Sequence, residues 1–134
     1  MKSRPSIPAG PYLVVGLARS GAAAALALRA RGEQVVGLDA GSPPGTAALA
    51  AAGVDLYLDD RDGIALLDRV GAVVKSPGVA AETPVVRAAR EREIPVLGEL
   101  ELAWRLLANE FVAVTGTNGK TTTVELIGHI HREA

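Results

Sequence analysis

Apolar runs of strand length alternate with helix-like segments along most of the chain. Tyr12-Leu13-Val14-Val15 leads into Gly16, and Ser20 to Arg31 then predicts a helix closed by Gly32. Gln34 to Leu38 is a second strand that stops at Asp39, before the turn-rich Gly41-Ser42-Pro43-Pro44-Gly45. A short helix over Thr46 to Ala52, a strand near Val54 to Leu58 and a helical stretch over Gly63 to Arg69 come next. Ala72-Val73-Val74 is a fourth strand, ending at Ser76-Pro77-Gly78. Thr83-Pro84 has the form of an N-cap with proline at the first helical position, and opens a helix to Arg92. Ile94 to Leu97 is a fifth strand, and Glu99 to Asn109 a connecting helix. Phe111 to Thr115 reads as a sixth strand, with a last helix from Lys120 to the end.

Strands that are apolar at nearly every position are buried on both faces, and their alternation with helices implies parallel βαβ units. The predicted fold is therefore α/β: a doubly wound, Rossmann-like parallel sheet with helices on both faces, over residues 1–98. Residues 99–134 then hold the connecting helix and the start of a second, nucleotide-binding domain. A strand over Phe111 to Thr115 has no partner strands left in the sequence to cover it. On that ground the chain reads as truncated.

Two glycine loops carry candidate chemistry. Gly16-Leu17-Ala18-Arg19-Ser20-Gly21 lies where the first strand turns into the first helix. Such a turn brings bare backbone N–H groups and the positive end of a helix to a phosphate. Gly16 permits the turn and Gly21 permits close packing of helix on strand. Ala18 stands where a dinucleotide fingerprint has its middle glycine, which argues against an NAD-type approach to the backbone. Asp39, at the end of the second strand, is placed to accept hydrogen bonds from a ribose or base. Ser76-Pro77-Gly78 ends the fourth strand on the same edge. The plainer alternative is a pair of tight turns and a solvated aspartate that bind nothing.

The second loop is more specific. Thr115-Gly116-Thr117-Asn118-Gly119-Lys120-Thr121-Thr122 follows an apolar run and opens a helix. Its glycines let successive N–H groups face triphosphate oxygens, Lys120 neutralises the outer phosphates, and the hydroxyl of Thr121 can ligate magnesium. The general phosphate-loop pattern wants its first glycine at position 114, where this chain has Val114.

Composition removes other classes. The net charge is -1, with no basic cluster to meet nucleic acid. The chain has no cysteine, so disulfides, thiolate catalysis and zinc–thiolate sites are excluded. Lys2 and Arg4 are followed by prolines rather than an export-signal core, and Gly21 to Ala30 is about half a membrane span. His129 and His131, two apart on a helix, point in different directions and make no metal site. The expectation is a cytoplasmic protein with no nucleic-acid or membrane partner.

GTNGKTTT after an apolar strand resembles the Mur ligases and their folylpolyglutamate synthetase relatives. VVGLARSG, GLD, VVKSPGV and IPVLGELELAW, in that order upstream, are similar to the D-glutamate-adding branch of the Mur ligases. The resemblance runs from about Tyr12 to the C-terminus. It implies an ATP- and magnesium-dependent ligase that is a monomer when complete. Its substrates are UDP-N-acetylmuramoyl-L-alanine, activated as an acyl phosphate, and D-glutamate, whose site lies in a further domain. It places Gly16, Arg19, Ser20, Asp39, Ser76, Pro77 and Gly78 at the uridine diphosphate. Gly116, Thr117, Asn118, Gly119, Lys120, Thr121 and Thr122 fall at the ATP phosphates, with Lys120 catalytic. The remaining catalytic parts of the family have no counterpart here, so the 134-residue chain is expected to be inactive alone. The main rival is an NAD-type oxidoreductase domain, which has no use for the second loop. A free-standing binding module without chemistry is the third reading.

Overall fold

The computed structural model describes residues 3–134; Lys2, weighed above among the N-terminal charges, lies outside them. Five strands form one sheet: β1 (Tyr12–Val15), β2 (Val35–Leu38), β3 (Asp55–Tyr57), β4 (Ala72–Lys75) and β5 (Val96–Gly98). Their order is β3-β2-β1-β4-β5, and every pairing is parallel. The chain winds outward from β1 to β3, then crosses back to β4 on the other side of β1. The topological switch point of the fold therefore lies between β1 and β4.

Alternating side chains of β1 divide the core. Tyr12 and Val14 face one layer with Leu28 of α1 (Arg19–Ala30), Leu49 of α2 (Thr46–Ala51) and Leu102 of α4 (Glu99–Leu106). Leu13 and Val15 face the other, with Leu66 and Leu67 of a 3₁₀ turn (Ile64–Arg69) and Val85 and Val86 of α3 (Pro84–Glu91). All four residues of β1 are buried, as a central strand between two helical layers requires. The fold is the expected α/β sheet, with all five strands of residues 12–98 where the apolar runs put them.

Three segments differ from the sequence expectation. Ile64–Arg69 is 3₁₀ rather than α-helical, a six-residue piece that turns Leu66 and Leu67 together into the core. The connecting helix stops at Leu106 rather than Asn109. Arg4 takes the Trp104 carbonyl at 2.9 Å, the Asn109 carbonyl at 2.6 Å and the Leu107 carbonyl, so the chain leaves the helix against that guanidinium. Phe111 to Thr115 forms no strand. No other strand lies beside it to complete a ladder, and an unpaired extended segment keeps its backbone groups in water. The last helix, α5 (Lys120–Glu133), has no buried residue.

Candidate functional site

Register brings the site together. Val15, Leu38 and Lys75 are aligned across the sheet, and Tyr57 and Gly98 close the same row on its two sides. The residues that follow these strand ends must line one edge. A cleft of ≈ 700 Å³ opens there, between Gly16, Ala18 and Ser20 after β1, Asp39 and Ala40 after β2, Asp60 and Arg61 after β3, and Ser76, Gly78 to Ala80, Thr83 and Pro84 after β4.

The first glycine turn forms the floor. Gly16 sits at φ +87°, and a Cβ there would lie 2.9 Å from the Ser76 Cβ and 2.8 Å from Val79. A Cβ on Gly21 would fall 1.8 Å from the Gly16 carbonyl oxygen, so only glycine lets α1 start against the turn. Ala18 caps α1 with no side-chain hydrogen bond, and the first helical amide bonded within the chain is Ala22, to Ala18 at 2.8 Å. The amides of Arg19, Ser20 and Gly21 remain as orphan donors at the positive end of the helix, the arrangement that suits an anion.

Asp39 has a role that spacing did not show. One carboxylate oxygen accepts the Leu17 amide at 2.7 Å, and the other accepts the Gly41 amide at 2.8 Å. The side chain thus ties the turn after β1 to the loop after β2, with lone pairs left over toward the cleft. Ser76, buried, donates to the Gly16 carbonyl at 3.0 Å and also meets the Glu99 carboxyl group. Lys75 donates to the carbonyls of Ser76 at 3.0 Å and Val79 at 2.5 Å, which sets the Ser76–Val79 turn.

Of the expected diphosphate-side residues, Gly16, Ser20, Asp39, Ser76 and Gly78 line the cleft. Arg19 and Pro77 do not; Pro77 faces a second, apolar groove between α1 and α4. Asp60, Arg61, Val79 and Thr83 line the cleft without having been expected. Their only signal in sequence is position: they follow β3 and β4, on the edge where open α/β sheets take ligands. Gly116 to Thr122 do not line this cleft and are exposed. Lys120 begins α5, and Thr123 is turned back on the Gly119 carbonyl by both its amide (3.0 Å) and its hydroxyl (2.8 Å). The amides and hydroxyls of Thr121 and Thr122 engage no hydrogen bond among the described residues.

An all-parallel sheet of this order, with helices on both faces and a glycine turn at its switch point, defines a Rossmann-like α/β domain. The sequence model described as "Mur ligase MurD-like, N-terminal domain" matches residues 11–98, and the chain belongs to that family. Similar proteins include UDP-N-acetylmuramoylalanine–D-glutamate ligases. The one from Pelotomaculum thermopropionicum is 48% identical over 126 residues, covering 91% of this chain and 28% of the relative. That from Frankia casuarinae is 47% identical over 123 residues, covering 88% and 26%. The chain thus spans less than a third of these relatives' length. Among solved structures, UDP-N-acetylmuramate–alanine ligase from Thermotoga maritima aligns at a TM-score of 0.64 and 26% identity, over 92% of this chain and 29% of that one.

Proposed function

We propose that this chain is the uridine-nucleotide-binding front end of an ATP-dependent ligase that adds D-glutamate to UDP-N-acetylmuramoyl-L-alanine in peptidoglycan precursor synthesis. The observation that carries the reading is the cleft at the switch point, with its free α1 amides, in a chain 48% identical to a D-glutamate ligase. Residues 1–98 form the substrate domain, and residues 99–134 hold the connecting helix and the start of the ATP-binding domain with its phosphate loop. The α1 amides and Ser20 hold the diphosphate, Asp39 faces the uridine, and the Ser76–Gly78 turn follows the same ligand. Arg19, at the start of α1, contributes its backbone amide rather than its side chain.

The second loop fits the phosphates of ATP. Its first-turn amides are free, Lys120 brings a positive charge, and the Thr121 hydroxyl is available to magnesium. Among the described residues no group of three or more histidine, cysteine or acidic side chains could hold a metal ion without the nucleotide. Magnesium, when bound, neutralises charge on the outer phosphates. In the reaction the L-alanine carboxylate takes the terminal phosphoryl group of ATP and ADP leaves. The amine of D-glutamate then displaces phosphate from that acyl phosphate. Lys120 stabilises the charge that develops on the transferred group.

Calorimetric titration of the chain with UDP-N-acetylmuramoyl-L-alanine, with NAD in parallel, tests the reading. Saturable binding of the uridine compound and none of NAD is expected. Asp39→Ala loses charge-assisted bonds of about 1.5–3 kcal/mol each, so affinity falls at least roughly tenfold. Binding of NAD alone, or of neither compound, would refute the proposal.

A further inference from the structure

The structure assigns Arg61 as the residue that reads the base of the bound nucleotide, an inference that rests on the uridine reading above. Asp39, Asp60 and Arg61 are the charged residues lining the cleft. Both Asp39 carboxylate oxygens already hold backbone amides, and one oxygen of Asp60 accepts the Asp62 amide at 2.9 Å. Arg61 is exposed and makes no hydrogen bond or ion pair among the described residues, although Asp59, Asp60 and Asp62 surround it in sequence. It is a cation in the cleft that the fold does not use.

The loop that carries Arg61 is held over the cleft. The Asp59 amide donates to Gly41 at 3.2 Å and the Asp60 amide to Asp39 at 3.2 Å. Asp59 itself sits at φ +56°, a conformation that costs a non-glycine residue free energy. Gly63 at φ +61° closes the loop where a Cβ would lie 2.3 Å from Leu38. Arg61 therefore rides on the same backbone that Asp39 fixes.

Position selects the base over the phosphates. The free amides of α1 follow β1, whereas Arg61 follows β3, two strands away and therefore about 10 Å along the sheet edge. A nucleoside reaching outward from a diphosphate at α1 passes Asp39 with its ribose and brings its base to Arg61. A guanidinium can only donate, so it favours the ring carbonyl of uracil at the position where cytosine carries an amino group.

Titration of the chain and of Arg61→Ala with UDP and with CDP decides the matter. The wild-type chain is expected to prefer UDP. Arg61→Ala is expected to weaken UDP about tenfold or more, with little change for CDP, so that the preference collapses. Because Arg61 is exposed and makes no hydrogen bond or ion pair among the described residues, the variant should melt with the wild type. Unchanged UDP affinity overturns the assignment and leaves the uridine site standing, and so does an equal loss for UDP and CDP, which would put Arg61 on the phosphates. A wild-type chain that binds neither nucleotide removes the uridine reading itself, and this inference with it.

Discussion

Tyr12 begins the central strand and is fully buried, yet it carries a hydroxyl. That hydroxyl donates to the Pro8 carbonyl, which satisfies it inside the core. Burial foremost, and the nearby Glu33 carboxylate second, push its pKa upward, against a smaller downward pull from Arg31. The sign follows directly. The unfolded chain loses the phenolic proton first, near pH 10, so the neutral phenol supports folding below that pH and its contribution disappears as pH rises through the higher folded value. Urea midpoints at pH 8 and pH 11 should therefore converge between wild type and Tyr12→Phe, or cross, with the wild type losing more. A parallel fall in both would mean the phenol is not the group responsible. At the same scale, the place of Asp39 at the edge of the sheet was legible from its position at the end of an apolar run. Its two backbone partners were not, because Leu17 and Gly41 approach it only when β1 and β2 pair.

Among the elements, α4 depends on a residue far away in sequence. The guanidinium of Arg4 gathers carbonyls at the C-terminal end of α4 and lies 5.8 Å from the Trp104 ring and 5.0 Å from the Phe111 ring. A cation at the negative end of a helix, bonded to carbonyls without intrahelical partners, is favourable twice over. Arg105 strengthens the same link by donating to the Ser6 carbonyl at 2.8 Å. Arg4→Ala should cost about 1 kcal/mol, because these bonds are exposed to water. Amide exchange at Leu107, bonded to Ala103 at 3.0 Å, should quicken while the β1 amides stay protected. Unchanged exchange at Leu107 would show that the N-terminal arm does not hold the helix end. Apolar periodicity located α4 but not its last turn, since the residue that ends it lies more than ninety positions earlier.

For the whole molecule, the two glycine loops have different standing. The first is enclosed by four strand ends and their loops; the second projects on α5, with Val124, Leu126 and Ile130 exposed beside it. Phosphoryl transfer depends on positioning and on charge stabilisation in a site shielded from water, and Lys120 alone supplies neither an adenine pocket nor such a site. The 134-residue chain incubated with ATP, magnesium and UDP-N-acetylmuramoyl-L-alanine is accordingly expected to release no ADP above the background of Lys120→Ala. Release that depends on Lys120 would show that the exposed loop is a working site as it stands.

The sequence by itself determined the parallel α/β class, the five strands of residues 12–98 and the positions of the two glycine loops. These are local properties: an apolar run buried on both faces, a glycine where a turn needs one, and a lysine and threonine opening a helix. The tertiary structure alone decided that β4 returns to the side of β1, which makes the switch point and its cleft. It also decided that Arg61 and Thr83 reach that cleft while Arg19 and Pro77 do not, and that Phe111 to Thr115 stays unpaired. The reason is common to all of these. Strand order, and which side chains converge across a sheet edge, depend on contacts between distant residues, whereas periodicity and motif spacing record only neighbours along the chain.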